Sequence, residues 1–407
     1  MARRVRGELI PPTRSTSLYF GGSTFPRWGR SKYYRGVALR PCIGYHLPVV
    51  RGAALVAEEG HLAEESIFLR NQWYMTALSS SLKNGQKRRE MLCGDPVMLG
   101  RTHDGRAFAL RDICPHRAAP LSAGKVLADN SVECPYHGWR FKPDGVCSLI
   151  PSMVDGQDNI DPSKIRVRSY PLREQDGLLW VYVAADERDA APVGEPPSVP
   201  IANAKPRWVE RQMFPCGIDH AVIGLMDPAH GPYVHAHWWW KKTPREKVKH
   251  YAPLPNGFVM TRHKPSKPVY SMIGEVSTEI TFELPSTRFE NISGKVLGRA
   301  ADVIGLTVCT PREADKTEVI QIFYWPAWLG FIRPFFMVLG PTFLGDDRKI
   351  VELQREGLKF NPPLMLIQDS DVPAIWYHRL KKAWAESVET GKPFENPVQE
   401  RTLRWRS

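Results

Sequence analysis

The chain offers no apolar run of the roughly 18 residues that crossing a bilayer requires. Its most apolar stretch, Trp328 to Leu344, is broken by Arg333 and two prolines, Pro334 and Pro341. No membrane span is therefore expected. Cysteine is scarce, with seven in 407 residues (Cys42, Cys93, Cys114, Cys134, Cys147, Cys216 and Cys309). Their spacing does not read as a secreted disulfide framework, so a reducing, cytoplasmic location is expected. Also missing is a Gly-x-Gly-x-x-Gly following a strand, which leaves no evident nicotinamide or flavin site. Acidic residues nearly vanish from positions 1 to 57, where nine Arg and Lys32 face Glu8 alone. That segment holds +9 of the net +12 and leaves only about +3 for the other 350 residues. The body of the protein is close to neutral, and nothing suggests a nucleic-acid groove.

The basic segment is rich in Arg, Gly, Pro and Ser and shows no clear period. An organellar transit peptide, a disordered arm and an over-extended start of translation all suit it. Recognisable domain sequence begins near Glu65, so residues 1–64 are read as a basic, disordered or non-native extension outside the functional argument. The length allows two cores, hence two domains.

What is present centres on residues 114 to 139. Cys114-Pro115-His116-Arg117 and Cys134-Pro135-Tyr136-His137-Gly138-Trp139 form two short loops, and 17 residues separate His116 from Cys134. Each loop presents one sulfur and one imidazole. Together they are the ligand set of a Rieske [2Fe–2S] centre, in which two Cys hold one iron and two His the other. Pro115 and Pro135 stiffen the turns, and Gly138 permits a backbone conformation other residues resist. A Cys₂His₂ zinc site is the competing reading, although zinc fingers usually pair thiolates in one half and imidazoles in the other.

Around these loops, short alternating runs at Pro96–Arg101, Ala107–Arg111, Ile165–Tyr170 and Leu178–Val183 are separated by Gly, Asp and Pro turns. They predict a small antiparallel β domain over residues 65–185. Residues 186–206 read as a linker and 207–407 as a second domain. Strands are expected there at Phe258–His263, Ser271–Leu284, Ile304–Cys309 and Glu318–Tyr324, with helical spacing from Leu364 to Thr390.

The second domain carries Asp227-Pro228-Ala229-His230-Gly231-Pro232-Tyr233-Val234-His235. Asp227 and His230, three apart, would share one helix face. His230 and His235 are five apart, about 140° round an ideal helix, so they meet at one ion only if the turn is distorted. Gly231 and Pro232 supply a reason for distortion. The bland alternative is a Pro/Gly connector with scattered surface histidines, His220 and His237 among them.

With both motifs in hand, the chain resembles the oxygenase components of Rieske-type non-haem iron oxygenases over roughly residues 66 to 407. It looks closest to the vanillate and dicamba O-demethylase group. The resemblance implies an α+β fold, a small antiparallel Rieske domain followed by a helix-grip (START-like) catalytic domain. It implies a mononuclear Fe(II) held by His230, His235 and a later carboxylate, completing a two-His, one-carboxylate face. Asp347, in Asp346-Asp347-Arg348-Lys349-Ile350-Val351-Glu352, matches best; Asp369 and Asp371 are the rivals. Asp346 or Asp347 could also simply cap a helix N-terminus. Asp227 is implied to be catalytic, bridging a subunit interface to a cluster histidine of a neighbour in a homotrimer. Gly224 stands where many members carry Asn.

The implied reaction uses O₂ and electrons from a separate NAD(P)H-dependent reductase or ferredoxin to hydroxylate or O-demethylate an aromatic or other apolar small molecule. Ring cis-dihydroxylation is the alternative. A Rieske electron carrier would have no use for residues 207–407, and a helix-grip lipid-binding module would need neither iron motif.

Overall fold

The computed structural model describes residues 68–407 except 155–159, 189–190, 202–203, 236, 238–243, 266–275 and 297. The basic extension of residues 1–64 and Trp238 to Trp240 therefore lie outside the described residues, as does the start of the strand expected at Ser271.

The first half contributes β1 (Gln72–Leu78), β2 (Lys87–Leu92), β3 (Asp95–Arg101), β4 (Ala107–Arg111), β5 (Lys125–Val126), β6 (Val132–Glu133), β7 (Arg140–Phe141), β8 (Cys147–Leu149), β9 (Ser169–Tyr170), β10 (Leu172–Gln175) and β11 (Leu178–Val183). They form three small sheets, ordered β1-β11-β10, β2-β3-β4-β9 and β5-β6-β7-β8. All pairings are antiparallel. The strand expected over Ile165–Tyr170 shortens to Ser169–Tyr170, because Arg166 makes only an isolated bridge to Val146.

The second half begins with β12 (Trp208–Phe214), then α1 (Ile218–Met226) and the one-turn α2 (Gly231–Val234). Next come β13 (Glu246–Leu254), β14 (Gly257–His263), β15 (Val276–Glu283), β16 (Thr287–Val296), β17 (Arg299–Glu313) and β18 (Lys316–Tyr324). Helices α3 (Arg333–Leu358) and α4 (Val372–Thr390) and strand β19 (Arg401–Arg406) complete it. One eight-stranded antiparallel sheet runs β12-β18-β17-β16-β15-β14-β13-β19. Helix α4 lies on its concave face, where Trp376 meets Tyr251 and Phe258 at 5.6 and 5.2 Å and Tyr377 meets Phe282 at 5.8 Å. This is a sheet gripping a helix, as expected, with aromatic burial as the driving force.

Two helical expectations are corrected. The helical spacing seen from Leu364 becomes helix only at Val372, after Pro362, Pro363 and the left-handed Asp369 (φ 65°). The first half of helix α3 is the proline-broken apolar stretch, so the helix starts at Arg333 rather than near Asp346, where a helix N-terminus was considered. Pro334 fits the first turn, where its missing N–H costs nothing. Pro341 lies inside the helix, yet the chain continues through it because that turn is pinned from outside. The Pro341 carbonyl accepts from Gln212 Nε2 at 3.1 Å, and a Cβ on Gly340 would lie 2.2 Å from Trp208, so helix and β12 touch backbone to ring. The segment Ala327–Leu358 is long and apolar enough to cross a membrane by length and composition. That replaces the expectation that no stretch qualifies. Its Phe335, Met337 and Val338 are exposed.

One hydrophobic core runs through both halves, joining Leu69, Tyr74, Leu92 and Val97 to Phe214, Phe258, Trp376 and Leu403. Arg312 on β17 fastens the layers. It is buried and donates to the carbonyls of Met91 (2.9 Å) and Thr76 (3.0 Å), and it pairs with Glu90 and Glu318. Backbone bonds from Cys93 and Gly94 to Pro311 and Arg312 extend the seam.

Replacing Arg312 with Met leaves the Met91 and Thr76 carbonyls without this donor and takes one cation from Glu90 and Glu318, which keep Arg88 and Arg211. Arg312→Met should cost about 2–3 kcal/mol of stability, read from urea unfolding, whereas a loss below about 1 kcal/mol would mean the seam is not held by this guanidinium.

Candidate metal centres

The two Cys/His loops fold alike. Cys114 N–H donates to Ala119 O (2.9 Å) and Ala118 N–H to Cys114 O (2.9 Å). Cys134 N–H donates to Trp139 O (2.8 Å) and Gly138 N–H to Cys134 O (3.1 Å). The fourth residue after each cysteine is left-handed, Ala118 at φ 56° and Gly138 at φ 69°. The second loop needs its glycine for space too, since a Cβ there would lie 3.1 Å from Pro151. Both sulfurs are buried and unbridged, while His116 and His137 are exposed with ring centroids 4.5 Å apart. Trp139 stacks on His116 at 4.7 Å, and Tyr136 covers His137 at 3.8 Å.

The chemistry of this donor set fits an iron–sulfur cluster. Burial, and then the neighbouring Cys134 sulfur, push the Cys114 thiol up to about 11. A bound cation reverses that preference, because ligation requires thiolate. Partial desolvation and then the adjacent His116 hold His137 below its ordinary value, the direction that ligation by neutral imidazole requires.

The second constellation lies beside the concave sheet. Helix α1 stops at Met226, and Asp227 turns the chain out with ψ 115°. Its Oδ1 accepts from Ala229 N–H at 2.7 Å. Asp227 and His230 therefore do not share a helix, contrary to the expectation from their spacing. His230 opens the single turn α2, with Pro232 in its first turn, and His235 leaves it at φ −97°, ψ 57°. The exit brings the two imidazoles together despite the five-residue interval, with Nε2 atoms 3.3 Å apart. Asp347 Oδ1 approaches from α3, 3.3 Å from His235 Nε2 and 3.7 Å from His230 Nε2. Donors sharing one ion at about 2.1 Å are separated by roughly 3 Å, so this triangle needs little closure to hold a metal.

Asp347 is mid-helix rather than a cap, so the capping alternative falls away. Of its rivals, Asp369 pairs with Arg401 at 3.2 Å, and Asp371 accepts from Ile367 N–H at 2.8 Å ahead of α4. Neither is among the residues gathered at the triangle. Burial, then the neighbouring Asp346, raise the Asp347 carboxyl to about 7. A divalent cation would remove that penalty, in keeping with the three donors gathered here.

Asp346 and His237 escaped the sequence reading as a working pair. Asp346 is 8 % exposed, and its Oδ2 accepts from His237 Nε2 at 2.6 Å and lies 3.6 Å from His235 Nδ1. It stands behind the His235 ring at ion-pair distance, the place that outer carboxylates take around metal-bound imidazoles. Phe343, one helical turn before Asp347, lies over the His235 ring at 4.1 Å. Asp227 Oδ2 sits 3.7 Å from His230 Nδ1, and its side chain is 34 % exposed. At Gly224 a Cβ would meet nothing within 4 Å. The triangle opens on a cavity of about 740 Å³, walled by alternate residues of the sheet and by Phe331, Phe335 and Phe336 from the α3 side.

The chain is similar to several known proteins. The Rieske [2Fe-2S] domain family matches residues 72–171, which favours iron–sulfur over zinc. Chlorophyllide a oxygenase, chloroplastic, of Chlamydomonas reinhardtii is 26 % identical over 362 residues, covering 81 % of this chain and 51 % of that protein. The oxygenase component of dicamba O-demethylase from Stenotrophomonas maltophilia is 35 % identical over 173 residues, covering 41 % of this chain and 48 % of that protein. The chain thus spans about half the length of the curated relatives it matches. Among solved structures, dicamba monooxygenase bound to dicamba superposes with TM-score 0.63 at 22 % identity, covering 80 % of this chain and 99 % of that one. The fold is therefore that of a Rieske oxygenase subunit.

Asp347→Asn should abolish stoichiometric Fe(II) binding at the second site. Asp346→Asn should weaken it about 10- to 100-fold, since it touches the metal only through His235. Both are read by iron titration with the cluster absorbance as internal control. Equal affinity in wild type and Asp347→Asn would remove Asp347 from the ligand set.

Proposed function

We propose that this chain, a homologue of Rieske oxygenase components carrying a Rieske [2Fe–2S] domain, is itself the oxygenase component of a Rieske non-haem iron monooxygenase. It hydroxylates or O-demethylates an apolar or aromatic small molecule. The observation that carries this reading is the joint presence of the Cys114/His116/Cys134/His137 loops and the His230/His235/Asp347 triangle, the latter opening on a large cavity. An electron carrier would need only the loops, and a lipid-binding module neither. Relatives named for O-demethylation favour monooxygenation over cis-dihydroxylation.

A Rieske cluster supplies single electrons, and an iron on a two-His, one-carboxylate face supplies O₂ activation. This chain's own residues do the rest. Phe343 packs over the His235 ring and Asp346 stands behind it, so the ring is enclosed before substrate arrives. The aromatic and aliphatic walls exclude water and place the reacting atom over the open side of the triangle. Asp227 keeps one oxygen on the Ala229 amide and has the other directed at His230, with part of its surface outward. In our reading it links His230 to a cluster histidine of an adjacent subunit in a homotrimer. Electrons come from a separate reductase or ferredoxin. The six described cysteines are free, which suits a reducing, cytoplasmic setting.

A screen of methoxylated and polycyclic aromatics should yield substrate-dependent O₂ uptake once a reductase is supplied. In Asp227→Asn, cluster and iron contents should be unchanged while that uptake falls by about 100-fold or more. Wild-type turnover in this variant would sink the bridging role.

A further inference from the structure

One end of the cavity is not apolar. Lys247 and Lys249 stand two apart on β13, half-buried and facing inward, while Glu246, Val248 and His250 between and beside them face out. Lys247 Nζ donates to Ser407 Oγ at 2.6 Å, and Ser407 Oγ donates to the Pro228 carbonyl at 3.0 Å, which sets this lysine beside the loop carrying Asp227 and His230. Lys249 Nζ donates to the Lys264 carbonyl at 3.3 Å. Neither lysine has a carboxylate partner among the described residues. The other ions of the wall largely serve each other, Arg288 lying 3.4 Å from Glu290. On the neighbouring strands, Thr278 is directly opposite His263 in the β14–β15 register, so both side chains share the inner face. Thr278 is 3 % exposed, and its hydroxyl has no hydrogen-bond partner. His263 Nδ1 donates to the Thr261 carbonyl at 2.8 Å, which turns its other nitrogen away from that bond.

Two lysines facing one half-buried pocket from alternate positions of a strand are unfavourable without a counter-ion, and a buried hydroxyl without a partner costs free energy. Burial, and then the charge of Arg245 for Lys247 and of Lys247 for Lys249, hold both lysines below their ordinary values. A ligand with anionic oxygens corrects both deficits at once. We infer that Lys247, Lys249 and the Thr278 hydroxyl form a subsite for an anionic substituent, a carboxylate or sulfonate, on a substrate whose apolar body lies along Ile280 and Phe323. This rests on reading the cavity as the substrate site and narrows its substrate class to apolar acids.

The test uses two dyes with the same apolar body. 8-Anilinonaphthalene-1-sulfonate carries the anion, and N-phenyl-1-naphthylamine lacks it. Fluorescence titration of the full chain needs no turnover, so failure of the oxygenase reading and failure of this subsite give separate results. In the Lys247→Met/Lys249→Met variant, sulfonate-dye affinity should fall about tenfold or more while neutral-dye affinity stays within about twofold. Thr278→Val, which keeps shape and removes only the hydroxyl, should shift the same ratio in the same direction and guards against a folding defect in the double variant. An unchanged sulfonate-to-neutral affinity ratio in both variants, or equal losses for both dyes, would overturn the subsite.

Discussion

The Asp347 carboxylate is placed against two imidazoles, with Asp346 on the preceding residue, in a site largely withdrawn from water. Such a grouping is costly until a cation occupies it. Much of the second half of the chain can be understood as holding that costly arrangement in place. Helix α3 must persist through Pro341 to deliver Asp347, and it does so because Gly340 and Gln212 pin that turn to β12. The helix between Ile218 and Met226 must stop early, and the next turn must be short, for His230 and His235 to converge.

The first centre follows the same logic on a smaller scale. Two loops of equal hydrogen-bond pattern bury a sulfur each and leave an imidazole each at the surface. Sulfurs inside and imidazoles outside would sort the ligands of a bound cluster by depth and would let electrons enter or leave through the exposed rings. The Arg312 seam and the shared core fix this layer on the eight-stranded sheet. Each of the two centres is thus local in its ligands but depends on long-range packing for its position.

What could be read from the sequence divides along that line. The two Cys/His loops could be read because both are short and carry their own turn chemistry. The His230 and His235 pair lies in one short segment, and Asp347, which the structure brings to it, came from the family resemblance. The partnership of Asp346 with His235 and His237 could not be read, since it depends on the phase of a helix met 109 residues later. That helix was itself masked by its prolines, whose cost is met by contacts no local pattern shows. Strand β16 was missed for a different reason. Its inward positions Arg288, Glu290, Ile292 and Gly294 line a cavity, so the apolar alternation that marks a packed strand is absent. The polar end of the pocket was hidden likewise, because it is assembled across β13, β14 and β15.

The central claim is that one chain carries a two-iron cluster and a separate single iron. Iron and acid-labile sulfide should be measured per chain on anaerobically purified protein, with an EPR spectrum of the reduced form. The account predicts about three irons and two sulfides with a Rieske signal. About two irons with a full cluster signal, and no gain on adding Fe(II), would leave the triangle without its metal and contradict it.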